Sequence, residues 1–165
     1  METHWYAVRT RSRHEKTVER HLKERGITSF LPLATQVQRW SDRRKLVQFP
    51  LFAGYIFVRT EANPETRVQV LRVEGVVSFV GRNGQGSSIP DEQIEAVRTL
   101  ITSNISFANH PFVKSGQRVR IRGGALDGME GLFVSQNGDG SLVISIEPIE
   151  KSVAIRIEGY DVEPI

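Results

Sequence analysis

Apolar and polar positions alternate along the chain in a way that punctuates it cleanly. Thr3 to Thr10 reads as a short strand centred on Trp5, Tyr6, Ala7 and Val8. Ser12-Arg13-His14-Glu15 then fits a capping box, in which the Ser12 hydroxyl and the Glu15 carboxylate satisfy free backbone donors reciprocally. A helix is predicted from there to about Arg25, with Gly26 as its left-handed stop. A second strand, Ile27 to Leu33, leads into a polar ribbon over residues 34–49 with its tip at Trp40 to Lys45. Leu51 to Arg59 is a strongly apolar strand. Asn63-Pro64 opens a second helix, with Val68 and Leu71 expected inward.

Val76 to Val80 reads as another strand, and Gly81 to Ser88 as a loop. Pro90-Asp91-Glu92 starts a third helix with Ile94, Val97 and Leu100–Ile101 on one face. The order predicts an α+β sandwich with helices on one sheet face. After Ile101 neither period holds, and Thr102 to Pro111 reads as a linker. From Phe112 onward everything alternates, and Asn137-Gly138-Asp139-Gly140 is a hairpin signal. Closely spaced short strands predict a small all-β barrel. The expected domains are therefore residues 1–108, α+β with the start of the linker, and 109–165, all-β.

Composition narrows the chemistry. The 165 residues include no cysteine, which excludes a disulfide scaffold, a cysteine-ligated metal and a thiol nucleophile. No apolar run is long enough to span a bilayer, and the first residues do not read as a secretory signal. A soluble, cytoplasmic protein without membrane contact is expected. His4, His14, His21 and His110 fall in no metal-binding spacing, and neither a phosphate-binding glycine loop nor a nucleophile elbow is present. The chain is not expected to be an enzyme, and no metal or cofactor is called for.

Charge adds a direction. Residues 1–108 carry 16 basic and 11 acidic side chains, a net of +5, whereas residues 109–165 carry 6 and 8, a net of −2. One half alone suits a polyanion. On the first helix Lys16, Arg20 and Lys23 lie opposite Val18 and Leu22, at about 100° per residue. Arg13, beside His14, and Arg11 in the preceding turn extend this stripe, which suits a phosphate backbone. A solvated face with Glu19–Lys23 and Arg20–Glu24 pairs explains the helix equally well.

Two further features are informative. In the strand from Leu51 to Arg59, alternation puts Tyr55 and Phe57 on one face and Ile56 and Val58 on the other. With helices on one side only, Tyr55 and Phe57 are expected in water, as an aromatic docking patch. Later, Gly116, Val119, Ile121, Gly124, Gly128, Gly131 and Val134 step through two strands and the turn between them, as expected in a small barrel.

Trp5-Tyr6-Ala7-Val8 before a basic helix, Phe30-Leu31-Pro32 and Pro50 to Val58 resemble the N-terminal domain of the NusG family of transcription elongation factors. The glycine-stepped segment resembles the KOW motif that opens that family's C-terminal SH3-like barrel. Ala53, where the family usually has Pro, and the Arg39 to Lys45 ribbon look more like specialised antiterminator paralogues. The resemblance implies docking on the clamp coiled coil of the largest RNA polymerase subunit through Tyr55, Phe57 and Phe52, supported by Tyr6, Ile94 and Val97. It implies that Thr66 and Arg67 of the second helix face the opposite jaw of the cleft. Arg11, Arg13, His14, Lys16 and Arg20 would lie beside upstream or non-template DNA, and the ribosome and Rho are left open as partners of the barrel. The function implied is processive, pause-resistant or antiterminated transcription. A KOW-containing RNA-binding or ribosome-associated protein is the alternative.

Overall fold

A computed structural model describes residues 2–40, 43–103, 105–136 and 138–165. Ser41 and Asp42 at the ribbon tip, Asn104 of the expected linker and Asn137 of the hairpin signal lie outside the described residues. Contacts divide the chain into residues 1–88 and 89–165.

The first unit is built on a four-stranded antiparallel sheet in the order β2-β5-β1-β6, with β1 Thr3–Thr10, β2 Thr28–Phe30, β5 Tyr55–Glu61 and β6 Val76–Phe79. Strands β3 (Leu33–Trp40) and β4 (Arg43–Pro50) form the separate ribbon, paired from Leu33–Pro50 to Trp40–Arg43. Helices α1 (Glu15–Glu24) and α2 (Pro64–Leu71) bury Val18, Leu22 and Val70 with Tyr6, Val8, Ile56, Val58 and Phe79 in one core cluster. The expected alternation in β5 is therefore observed, with Ile56 and Val58 on the helix side.

Three local expectations change. The capping box does not form: Arg13 is left-handed (φ 63°), helix α1 begins only at Glu15, and His14 occupies the cap position without a side-chain bond to the helix's first N–H groups. Glu15, 5% exposed, is turned inward instead. In α2 the cap at Asn63 forms as expected, its side chain accepting the Thr66 N–H at 2.9 Å. Yet Val68 and Leu71 are 42% and 39% exposed, and Val70 is the residue buried. With apolar residues at three of the last four positions, helical spacing alone does not choose between them. Residues 51–54 form a turn rather than the start of β5. Gly54 has φ +86°, a left-handed value that a side chain rarely adopts.

The second unit holds α3 (Asp91–Thr102) and a six-stranded antiparallel sheet in the order β12-β8-β9-β10-β11-β7. Its strands are β7 Ala108–His110, β8 Gln117–Arg122, β9 Glu130–Gln136, β10 Asp139–Ile146, β11 Lys151–Arg156 and β12 Asp161–Pro164. The segment expected to be linker thus contributes β7, which pairs Ala108–Ala154 through His110–Ser152. Three residues are too few to display a period. Helix α3 packs against β10 and falls with the second unit, although a boundary after residue 108 is what the sequence suggests. Ile121, Leu126, Leu142, Ile146, Val153 and Ile155 are buried to 1% exposure or less.

Candidate functional site

Register between β1 and β5 assembles one candidate surface. Arg9 lies opposite Tyr55, Ala7 opposite Phe57 and Trp5 opposite Arg59. Cross-strand partners share a face, so these six side chains lie on the side of the sheet away from Tyr6, Val8, Ile56 and Val58. The Arg9 guanidinium stands 5.8 Å from the Tyr55 ring centroid, and Arg59 stands 5.8 Å from that of Trp5. Arg9 also donates to the Tyr55 hydroxyl at 3.4 Å, and Arg59 Nε donates to Thr3 Oγ1 at 2.9 Å. Phe30 stacks on Phe57 at 6.2 Å, and Phe52 meets it edge-on at 6.2 Å.

This surface corrects two expectations. Phe57 is 0% exposed and Phe52 is 3% exposed, so they are core residues in this state rather than a patch in water. Tyr55 is half-buried and Arg9 exposed. Tyr6 does not share the face at all: it sits on the helix side, edge-on to Phe79 at 5.9 Å. Parity along β1 separates Tyr6 from Trp5 and Ala7. Trp5, Arg9, Phe30 and Arg59 also belong to this surface, and pairing β1 against β5 by parity is the signal in the sequence that points to those on the two strands.

On α1, Lys16, Arg20 and Lys23 are exposed and Val18 and Leu22 are buried, so the basic stripe stands where helical spacing puts it. Arg11, Arg13 and His14 are exposed in the turn before it. Arg11, Arg13 and Arg20 make no side-chain hydrogen bond or ion pair among the described residues. Lys16 Nζ donates to the Gln48 carbonyl at 2.8 Å, which joins the helix to the root of the ribbon. His14 Nδ1 lies 2.8 Å from the Ser12 carbonyl. Lys23 reaches Glu19 only at 3.9 Å.

Thr66 and Arg67 lie in the first turn of α2. The Thr66 hydroxyl donates to the Glu61 carbonyl at 2.7 Å, closing the helix N-terminus, and both side chains are half-buried. Ile94 and Val97 are fully buried on α3, which belongs to the second unit. The structure therefore brings Tyr55, Phe57 and Phe52 together and leaves Tyr6, Thr66 and Arg67 elsewhere in the first unit.

The glycine-stepped segment does assemble. Gly116 precedes β8, Val119 and Ile121 are buried on it, Gly124 and Gly128 frame the turn, and Gly131 and Val134 lie on β9. Asp127 ties the turn, accepting the Gly123 N–H at 2.7 Å, and the Gly128 N–H returns to the Ile121 carbonyl at 2.8 Å. At Gly131 a Cβ would lie 2.7 Å from both the Val143 carbonyl oxygen and a Leu142 methyl, so no larger residue fits. Outside, Glu130 lies 3.5 Å from Arg118 and 3.7 Å from Arg120, while Glu163 lies 3.6 Å from Arg120 and 2.7 Å from Arg122. Among the described residues no group of three or more His, Cys, Asp or Glu could hold a metal ion, and no helix is long and apolar enough to cross a membrane.

The fold of this chain is similar to that of Thermotoga maritima NusG. That solved structure matches with a TM-score of 0.55 and 23% identity, over 100% of this chain and 98% of its own. Residues 3–98 match the family model described as NusG, transcription termination factor, and the chain belongs to the NusG family of transcription factors. Transcription termination/antitermination protein NusG of Borreliella burgdorferi is 25% identical, with 98% of each chain covered. The protein of the same name from Lactococcus lactis is 24% identical over 98% of this chain and 92% of its own.

Proposed function

We propose that this protein is an elongation factor that binds RNA polymerase and promotes processive, pause-resistant or antiterminated transcription. The observation that carries the reading is the β1–β5 face, where arginine–aromatic pairs bracket Phe57. Aromatic side chains and arginines are the residues that most often anchor protein interfaces. The partner is the clamp coiled coil of the largest polymerase subunit. Ile94 and Val97 of α3, fully buried in this structure, join that contact only once they are uncovered, and Thr66 and Arg67 face the opposite jaw. Bridging the cleft favours the closed, non-paused enzyme, and no chemical step is needed. The α1 stripe of Arg11, Arg13, His14, Lys16 and Arg20 lies beside upstream or non-template DNA, where cations hold phosphates without reading sequence.

Residues 1–108 act as the polymerase-binding module and residues 109–165 as a tethered recruiting module, with the ribosome or Rho as its partner. A cytoplasmic location goes with this reading. Capture experiments test the reading: RNA polymerase is expected to co-purify with the full chain, and read-through of a terminator is expected to rise when the protein is added. Sedimentation with ribosomal subunits in place of polymerase would favour the ribosome-associated alternative.

A further inference from the structure

A cleft of about 700 Å³ opens within the second unit, between α3, the turn after β8, and strands β9 and β10. That volume lies within the range of small-ligand sites, roughly 300–1,000 Å³. Five carboxylates and two cations line it, a local net of −3 on a chain whose formal charge is +3. Both cations already stand beside acids: Arg118 lies 3.5 Å from Glu130, and Lys114 lies 4.0 Å from Glu147. The Glu92 carboxylate on α3 makes no hydrogen bond or ion pair among the described residues. Asp127, exposed on the turn, uses one oxygen to accept the Gly123 N–H at 2.7 Å. Uncompensated negative charge thus comes from two separate elements.

One acceptor in the wall also lacks a donor. The Gln93 side-chain oxygen is buried and takes no hydrogen bond among the described residues. A buried acceptor left unmade carries its desolvation penalty in full. The terminal torsion of glutamine is broad, so a small turn offers this oxygen to a donor entering the cleft. Much of the remaining wall is apolar: Phe112, Val113 and Leu132 are half-buried, and Met129 is buried. A hydrated metal ion gains nothing from hydrocarbon. The complementary ligand carries positive charge at more than one point, N–H donors, and methylene groups between them. Ammonium groups on an aliphatic stem supply all three, and they are protonated at neutral pH.

We propose that this cleft binds one linear aliphatic polyamine, with ammonium groups on Glu92 and Asp127, an N–H on the Gln93 oxygen, and methylenes against Phe112, Val113 and Leu132. Such a site stands whether or not the protein docks on polymerase.

Isothermal titration of spermidine into the full chain at physiological ionic strength tests it. Saturable binding of one spermidine per chain is expected. Gln93→Met, similar in size and apolar, removes the orphaned acceptor. It should melt at or above the native temperature and yet bind spermidine about fivefold more weakly, the scale of one net hydrogen bond. Glu92→Gln should weaken binding about two- to threefold, as for one exposed ion pair. Glu65→Gln on α2, outside the cleft, should change nothing.

Absence of saturable binding overturns the proposal, as does native-like affinity in Gln93→Met. Equal competition by magnesium ions at matched charge also overturns it, because a diffuse ion atmosphere would then explain the binding. A capped trilysine peptide carries the same charge as spermidine, and tighter binding of that peptide would assign the cleft to a basic protein segment instead. Should Gln93→Met melt early, amide chemical shifts of the native chain on adding spermidine decide. Shifts confined to α3, the turn after β8 and β9 support the site, and shifts centred on the first unit overturn it.

Discussion

The carboxylate of Glu15 accepts the backbone N–H of Gly54 at 2.8 Å across 39 positions of sequence. The Gly54 carbonyl in turn accepts the Thr10 N–H at 2.8 Å, so one turn links the end of β1, the start of α1 and the entry to β5. The basic helix and the aromatic strand are thereby held to each other. Removing the carboxylate should loosen both. Glu15→Ala is expected to cost about 1.5–3 kcal/mol, the usual range for a hydrogen bond to a charged group. Glu15→Gln should restore most of that, and chemical denaturation of the two variants measures the difference.

Phe57 and Tyr55 should behave differently on truncation, although they share a face. Phe57 is fully buried against Phe30 and Phe52, so Phe57→Ala is expected to destabilise the fold by about 3–5 kcal/mol. Tyr55 is half-buried, and Tyr55→Ala should leave the fold intact while weakening polymerase binding by about 2 kcal/mol. Paired melting and polymerase titrations separate the effects. Native-like polymerase affinity in Tyr55→Ala would remove this residue from the docking surface.

Charge reversal of Arg13, Lys16 and Arg20 to Glu should reduce binding to single-stranded or upstream DNA and leave polymerase docking in place. Loss of about three phosphate contacts is expected to flatten the log–log salt dependence by roughly 2–3. An unchanged slope would return the stripe to a solvated helix face.

Gly131→Ala should act on the second unit. Its Cβ would press on the Val143 carbonyl and Leu142, and overpacking of this kind typically costs about 1–3 kcal/mol. Amide hydrogen exchange should show protection lost in β9 and β10 and retained in β1 and β5. Uniform loss across both units would show that they do not unfold separately.

A fragment of residues 1–108 is expected to fold, bind polymerase and retain most pause suppression. The cut parts Ala108 from Ala154 in β11 and also parts α3 from β10, so the fragment tests whether α3 holds its place without the second unit's sheet. Circular dichroism and an elongation assay on the fragment check both claims, and an unfolded or inert fragment would sink the modular reading.

Local periodicity carried much of this architecture. Alternation in β5 told Ile56 and Val58 from Tyr55 and Phe57, Asn63-Pro64 marked the start of α2, and helical spacing set the α1 cations opposite Val18 and Leu22. Each of these depends on residues within a turn or two of one another, where backbone geometry dictates which side chains share a face. What lies across from a face is a different matter. The burial of Phe57, the inward turn of Glu15, the choice of Val70 over Val68 and Leu71, and the recruitment of residues 108–110 into a sheet were decided only by tertiary structure. Each turns on a partner far along the chain, and a period in one segment holds no record of the surface that will cover it.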